Sequence, residues 1–167
     1  NKFIPGIIIC QNRYGHNYNF YKNRLLIKDI FVFAKKQFKN MSKKIINTNN
    51  APAPIGPYNQ AVLAGNLLFI SGQIALIPGT TELNIADIAT ETRQVMENLE
   101  AILSAASADF SHVVKTTIFL SDMSLFAEVN QIYGRFFESD YPARETVAVK
   151  GLPKNVQVEI SMIASLS

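Results

Sequence analysis

Between Leu67 and Ala164 the apolar residues change period repeatedly, and this change restricts the fold more than any other feature of the chain. Gln60 to Ala64 and Leu67 to Gln73 are short apolar runs separated by Gly65-Asn66, a hairpin signal. Ile88, Thr92, Val95, Met96, Leu99, Ile102, Leu103 and Ala106 then recur at helical spacing, with Asn84 or Asp87 as N-cap. Val113 to Leu120 (VVKTTIFL) is a β-branched strand. Ser124 to Phe137 forms a second helix with Val129, Ile132, Tyr133, Phe136 and Phe137 inward, ended by Pro142, which forces Tyr141 into an extended conformation. Arg144 to Lys150 and Val156 to Ala164 are two further strands, joined by Gly151-Leu152-Pro153-Lys154-Asn155.

Ahead of this region Lys43 to Asn47 pairs as a short strand, and Asn49 to Pro57 (NNAPAPIGP) is a rigid extended loop. Pro78-Gly79-Thr80-Thr81 is another turn. The order is therefore β-β-β-α-β-α-β-β: an α+β protein with one β-sheet and two helices covering one face. Several strand residues on the uncovered face are apolar, which predicts an oligomer built on that face.

The net charge of +3 conceals a segregation. Residues 1–46 carry ten Lys or Arg and one acid, Asp29, whereas residues 47–167 carry six basic and twelve acidic residues, a balance of −6. Residues 1–40 are basic and rich in Asn, Lys, Tyr, Phe and Ile, without clean strand or helix periodicity. Leu25 to Phe38 reads as a basic amphipathic helix. The segment reads as an N-terminal extension, either an organelle transit peptide (mitochondrion or plastid) or a disordered tail. Met41-Ser42-Lys43-Lys44 reads as an internal start, which would make residues 41–167 a cytoplasmic protein. With a single cysteine, Cys10, there is no intramolecular disulfide framework, and no run of about 18 apolar residues spans a membrane.

The chemistry-bearing signatures of serine hydrolases, P-loop and dinucleotide-binding proteins and zinc peptidases are all missing from the sequence. His112, the sole histidine outside the extension, reads as structural. What remains is a set of polar groups in apolar settings. Tyr58 follows Gly56-Pro57 and reads equally as a ring packed over a turn; Ser71-Gly72 reads as a strand bulge. Asn130 shares a stripe with Phe126, Tyr133 and Phe137 and reads as a buried, satisfied amide. Arg144 and Glu159, taken as lying on adjacent strands, read as a surface ion pair.

Met41 to Ile46, APAPIGPYNQAV (51–62), LLFISGQIALIPGT (67–80), VMENLEAIL (95–103), VVKTTIFLSDMSLFAEVNQIYGRFF (113–137) and YPARETVAVKGLPKNVQVEI (141–160) follow one another with family-like order and spacing. In these motifs residues 41–167 resemble the YjgF/L-PSP family, the reactive-intermediate imine deaminases (RidA). The resemblance implies a chorismate-mutase-like protomer and a homotrimer with clefts at the subunit interfaces. It implies hydrolysis of 2-imino acids, such as 2-iminopropanoate and 2-iminobutanoate, to 2-oxo acids and ammonia, with no metal or organic cofactor. By matching position, Arg144 would hold the substrate carboxylate and Glu159 would position or activate water. Tyr58, Ser71, Gly72 and Asn130 would line the cleft, with the backbone at Thr146 facing substrate. Asn59, Thr81 and Thr146 depart from the commonest residues of the family (Ser, Gly and Cys). An endoribonuclease is the alternative behind the L-PSP name, but the acidic balance of residues 47–167 argues against nucleic acid as a partner. A non-catalytic ligand-binding or chaperone-like trimer is the other alternative.

Overall fold

The two-residue turn at Gly65-Asn66 works because Gly65 adopts a left-handed φ of +63°, which a tight hairpin demands at its first central position. It joins β4 (Ala61–Ala64) to β5 (Leu67–Gln73), with Ala64 opposite Leu67. The computed structural model describes residues 7–11, 17–21 and 43–166. The chain divides into two compact units, Asn1–Met41 and Ser42–Ser167. In the first, β1 (Ile7–Gln11) and β2 (Asn17–Tyr21) pair antiparallel, two strands that the absence of clean periodicity did not foretell. The helix expected at Leu25 to Phe38 lies outside the described residues.

In the second unit the described elements run β3 (Lys44–Ile46), β4, β5, α1 (Ile88–Ala105), β6 (Val113–Leu120), α2 (Phe126–Gly134), β7 (Ala143–Ala148) and β8 (Val158–Ser165). This is the expected β-β-β-α-β-α-β-β order. The six strands form one sheet in the order β3-β4-β5-β8-β6-β7, in which only β6 and β7 run parallel. Parallel neighbours need a crossover, and α2 with its flanking turns supplies it. The last strand then inserts between β5 and β6, which separates β7 from β8.

α1 begins at Asp87, whose carboxylate accepts the Thr90 N–H at 2.7 Å. Asn84 is not the cap; its amide donates to Gln94 at 3.2 Å instead. The inner stripe of α1 (Val95, Met96, Leu99, Ile102, Leu103) is fully buried against β5, β8 and α2. From the sheet, Leu68, Ile70, Thr116, Ile118, Leu120, Val158, Ile160, Met162 and Ala164 complete this core. α2 is shorter than the periodicity suggests. After Gly134 the backbone tightens to bonds spanning three residues, Arg135 to Ile132, Phe136 to Tyr133 and Phe137 to Gly134. That turn swings Phe136 and Phe137 onto Phe110, with ring centroids 5.5 and 5.3 Å apart. The opposite sheet face carries exposed Phe69, Val147 and Ile45, together with a Lys115–Glu145 ion pair.

Candidate active site

The loop of residues 48–58 is shaped from within by Gln60, a buried amide. Its Oε1 accepts the Thr48 N–H at 2.7 Å, and its Nε2 donates to the carbonyls of Thr48, Ala51 and Pro52 at 3.0, 3.2 and 2.8 Å. Prolines deprive this loop of backbone donors, so one enclosed side chain organises it in place of a ladder. Beyond it the chain turns at Gly56. The Tyr58 N–H donates to the Gly56 carbonyl at 2.8 Å, and the Tyr58 hydroxyl accepts the Ile55 N–H at 3.2 Å. The Tyr58 ring lies over Gly56, yet 44% of the residue stays exposed.

Tyr58 faces a cleft of about 260 Å³ shared with Ile55, Ser71, Gly72, Ile74, Pro153 and Glu159. Ser71 and Gly72 occupy a bulge: β5 pairs with β8 at Ile70↔Met162 and next at Gln73↔Ile160, so three steps on one strand oppose two on the other. The Ser71 hydroxyl donates to the Asn59 carbonyl at 2.7 Å, which ties the bulge to the loop. Above Gly72 lies the Glu159 carboxyl. A Cβ at Gly72 would stand 1.9 Å from Glu159 Oε1, so only glycine leaves room for that carboxyl. Glu159 is half-buried, and burial pushes its carboxyl above the ordinary value of 4.5.

A second cleft of about 420 Å³ is lined by Asn130, Tyr133, Gly134, Tyr141, Pro142 and Arg144. The Arg144 guanidinium carbon sits 5.0 Å from the Tyr133 ring centroid and 5.8 Å from that of Phe126. Such stacking orients a guanidinium without using its N–H groups. No acid pairs with Arg144 among the described residues, whose ion pairs are His112–Asp109 and Lys115–Glu145. The Tyr133 ring is itself held by its hydroxyl, which donates to Thr116 Oγ1 at 3.1 Å, and burial pushes its phenol up.

The structure thus sorts the expected site residues into two groups. Tyr58, Ser71, Gly72 and Glu159 share one cleft; Asn130 and Arg144 share the other. Thr146 lines neither, and its buried Oγ1 has no hydrogen-bond partner among the described residues. The expected surface ion pair between Arg144 and Glu159 does not form, because β6 lies between their strands. They also leave the sheet on opposite faces. Glu159 is in register with Phe119 and alternates with buried Val158 and Ile160, whereas Arg144 is in register with buried Thr116 on the helix side. Asn130 is exposed, and its side chain makes no hydrogen bond among the described residues; it is not the buried, satisfied amide of its alternative reading. His112 closes the 3-10 turn Phe110–His112 in a reciprocal cap with Asp109, and the hydrogen bonds from Ser111 and His112 hold the Asp109 carboxyl down to about 2.

Sequence reasoning missed Gln60, Glu91 and Asn98, which shape the first cleft from behind. Asn98 donates to the carbonyls of Ile74 and Leu76 at 3.1 and 2.9 Å. Glu91 and Asn98 both fall on the apolar stripe of α1, three residues from a core position, and a polar residue there was the available signal. Among the described residues no group of three or more His, Cys, Asp or Glu side chains comes together to hold a metal ion.

A mixed sheet with two helices on one face, a bulge beneath a carboxyl group and an unpaired arginine on the other face describe an α+β protein of the YjgF/RidA type. Residues 48–166 match the family model described as Endoribonuclease L-PSP, and the chain belongs to this family. It is 45% identical over 136 residues to Reactive Intermediate Deaminase A, chloroplastic, of Arabidopsis thaliana, covering 81% of this chain and 73% of that one. It is 42% identical over 125 residues to the Homo sapiens 2-iminobutanoate/2-iminopropanoate deaminase, covering 75% and 91%. The crystal structure of E. coli TdcF with bound serine superposes with a TM-score of 0.71 at 42% identity, over 74% of this chain and 99% of that one.

Proposed function

We propose that this protein hydrolyses 2-imino acids, 2-iminopropanoate and 2-iminobutanoate among them, to 2-oxo acids and ammonia, in clefts between neighbouring copies of a homotrimer. One observation carries the reading: an unpaired, ring-stacked guanidinium and a half-buried carboxyl project from opposite faces of one sheet. A single chain cannot bring both to one small substrate, whereas a second copy on the open apolar face can. Deaminase names among relatives at 42% and 45% identity support the chemistry, and the TdcF structure shows that protein with an α-amino acid bound.

In this reading Arg144 grips the planar substrate carboxylate with two parallel N–H bonds, its plane fixed by Tyr133 and Phe126. The Glu159 carboxylate takes a proton from water as the water oxygen bonds to the carbon of the protonated C=N group and the π pair moves to nitrogen, giving the neutral carbinolamine. Glu159 then gives that proton to the carbinolamine nitrogen; as the C–N bond breaks and ammonia leaves, the hydroxyl O–H pair forms the C=O of the 2-oxo acid and the hydroxyl proton returns to the Glu159 carboxylate. Tyr58, Ser71, Gly72 and Asn130 wall the cleft, with the Thr146 backbone beside the carboxylate.

The chemistry resides in residues 41–167, and residues 1–40 are an organelle-targeting extension, a role in keeping with the chloroplastic relative. A reporter fused behind residues 1–40 should enter plastids or mitochondria; a uniform cytosolic signal overturns this. Among the described residues no helix is long and apolar enough to cross a membrane.

The test of the shared cleft is complementation. Arg144→Ala and Glu159→Gln chains, each inactive alone, are unfolded together and refolded as a mixture, with imine supplied by a threonine dehydratase and 2-oxobutanoate release followed. Random assembly gives each cleft a one-in-four chance of drawing both intact groups, so about a quarter of wild-type activity should return. No return of activity from well-formed mixed trimers rejects the shared cleft. A parallel arm offers RNA in low salt: cleavage that Arg144→Ala abolishes, with no imine turnover, makes the protein an endoribonuclease. Binding of 2-oxo acids without turnover of either substrate makes it a ligand-binding trimer.

Gly72→Ala isolates the carboxyl position. The clash falls on the far end of a flexible side chain, so the fold should survive with a melting temperature lowered by a few degrees. Displacing the carboxyl by about 1 Å should lower kcat about tenfold or more with little change in KM. Wild-type kcat in this variant would show that the carboxyl need not lie over the bulge.

A further inference from the structure

Glu91, in the first turn of α1, is fully enclosed in the core, 0% exposed, where a carboxylate is expensive to bury. Its Oε1 accepts two backbone hydrogen bonds, from the Gln157 N–H at 2.6 Å and the Val158 N–H at 3.1 Å. Its Oε2 is buried without a partner among the described residues. These two donors immediately precede Glu159. On the β6 side this start of β8 is tied by ordinary pairing: Ser121 donates to the Gln157 carbonyl at 2.9 Å and Val158 faces Leu120. On the β5 side the ladder stops at Gln73↔Ile160, so the Val158 N–H has no strand to receive it. The preceding turn adds strain, since Lys154 and Asn155 both hold left-handed φ values, +55° and +57°. A turn of that kind relaxes unless its far end is anchored.

We infer that Glu91 is a positioning residue for Glu159: its Oε1 stands in for the strand partner that β8 lacks where β5 ends, and so fixes the carboxyl over Gly72. This rests on the reading of Glu159 as the group that handles the water proton. The rigid inner face of α1, rather than a seventh strand, sets where β8 begins. An extra strand would cover the Glu159 cleft, whereas a side chain reaching from the helix layer leaves it open.

The test uses the full chain with Glu91→Gln, which keeps one acceptor oxygen, and Glu91→Met, which keeps the volume and removes both. Four quantities are measured: kcat and KM for 2-iminobutanoate, the melting temperature, and the titration of the Glu159 carboxyl by ¹³C NMR, assigned with Glu159→Gln. Glu91→Gln should lie within about threefold of wild type in kcat, because its amide oxygen can accept both N–H groups. Glu91→Met should lose about tenfold or more in kcat with KM within about twofold, and its Glu159 titration midpoint should move. A folded Glu91→Met with wild-type kcat and wild-type Glu159 titration overturns the inference, as does a Glu91→Gln variant as impaired as Glu91→Met. Should Glu91→Met not fold, Glu91→Asp decides: its shorter reach should lower kcat and shift the titration, and an unmoved titration overturns the inference. If the wild-type protein turns over no imine, the functional reading falls, while the Glu159 titration still judges the positioning role.

Discussion

Replacing Arg144 by alanine is expected to lower kcat/KM for 2-iminobutanoate by about 10²- to 10³-fold while the protein stays folded. A charge-assisted hydrogen bond contributes about 1.5–3 kcal/mol, and a guanidinium offers a carboxylate two of them; taken near the lower end, their combined loss is about 3–4 kcal/mol. The guanidinium is poised for this because its rings hold its plane and no acid competes for its N–H groups among the described residues. Stability should change little, since the lost stacking on Tyr133 and Phe126 amounts to about 0.5–1 kcal/mol per ring at a partly exposed site. Arg144→Lys should recover only part of the activity, because a point charge keeps the attraction but not the two parallel bonds. Steady-state kinetics on the purified variants decides the matter: near-wild-type turnover by a folded Arg144→Ala protein would falsify the carboxylate-anchor role.

Glu159→Gln is expected to remove about 10²-fold or more from kcat and to leave KM within a few-fold, the mark of a group needed for proton transfer rather than for grip. The pH dependence carries an independent signature. Burial raises the Glu159 carboxyl above 4.5, so in the wild type kcat should rise with pH through that elevated pKa, and the glutamine variant should lose that limb. The same shift has a stability consequence of opposite sign. A carboxyl whose folded pKa lies above its unfolded one binds its proton more tightly in the native state. Its contribution is therefore fully favourable below about pH 4 and is lost as pH rises through the folded pKa. Glu159→Gln should accordingly melt at a temperature equal to or above that of the wild type at neutral pH, and the difference should shrink on acidification. A glutamine variant that melts lower at neutral pH but matches the wild type in acid would contradict a desolvated carboxyl.

In the shared-cleft reading the two variants test different halves of one composite site, and their combination is more informative than either. Because Arg144 and Glu159 leave the sheet on opposite faces, the losses come from different subunits in the shared-cleft reading. Refolding the two inactive chains together then becomes a direct probe of assembly.

Local residue pattern was enough to place the strands and helices of residues 43–166 in order, though not the early end of α2 at Gly134. The hairpin at Gly65-Asn66, the amphipathic stripe of Ile88 to Leu103 and the β-branched run of Val113 to Leu120 are encoded within a few residues, so period and turn chemistry reveal them. The Ser71-Gly72 bulge was legible for the same reason. Which strand neighbours which was not legible locally. β8 inserts between β5 and β6, and only that insertion puts β6 between Arg144 and Glu159 and turns an expected ion pair into two separate clefts. The roles of Gln60 and Glu91 were hidden too, because their backbone partners lie 8 to 12 and 66 to 67 residues away. A residue's type and period report the face it presents within its own element. The groups it meets across the core depend on strand order and on where ladders begin and end, and those are properties of the packed chain alone.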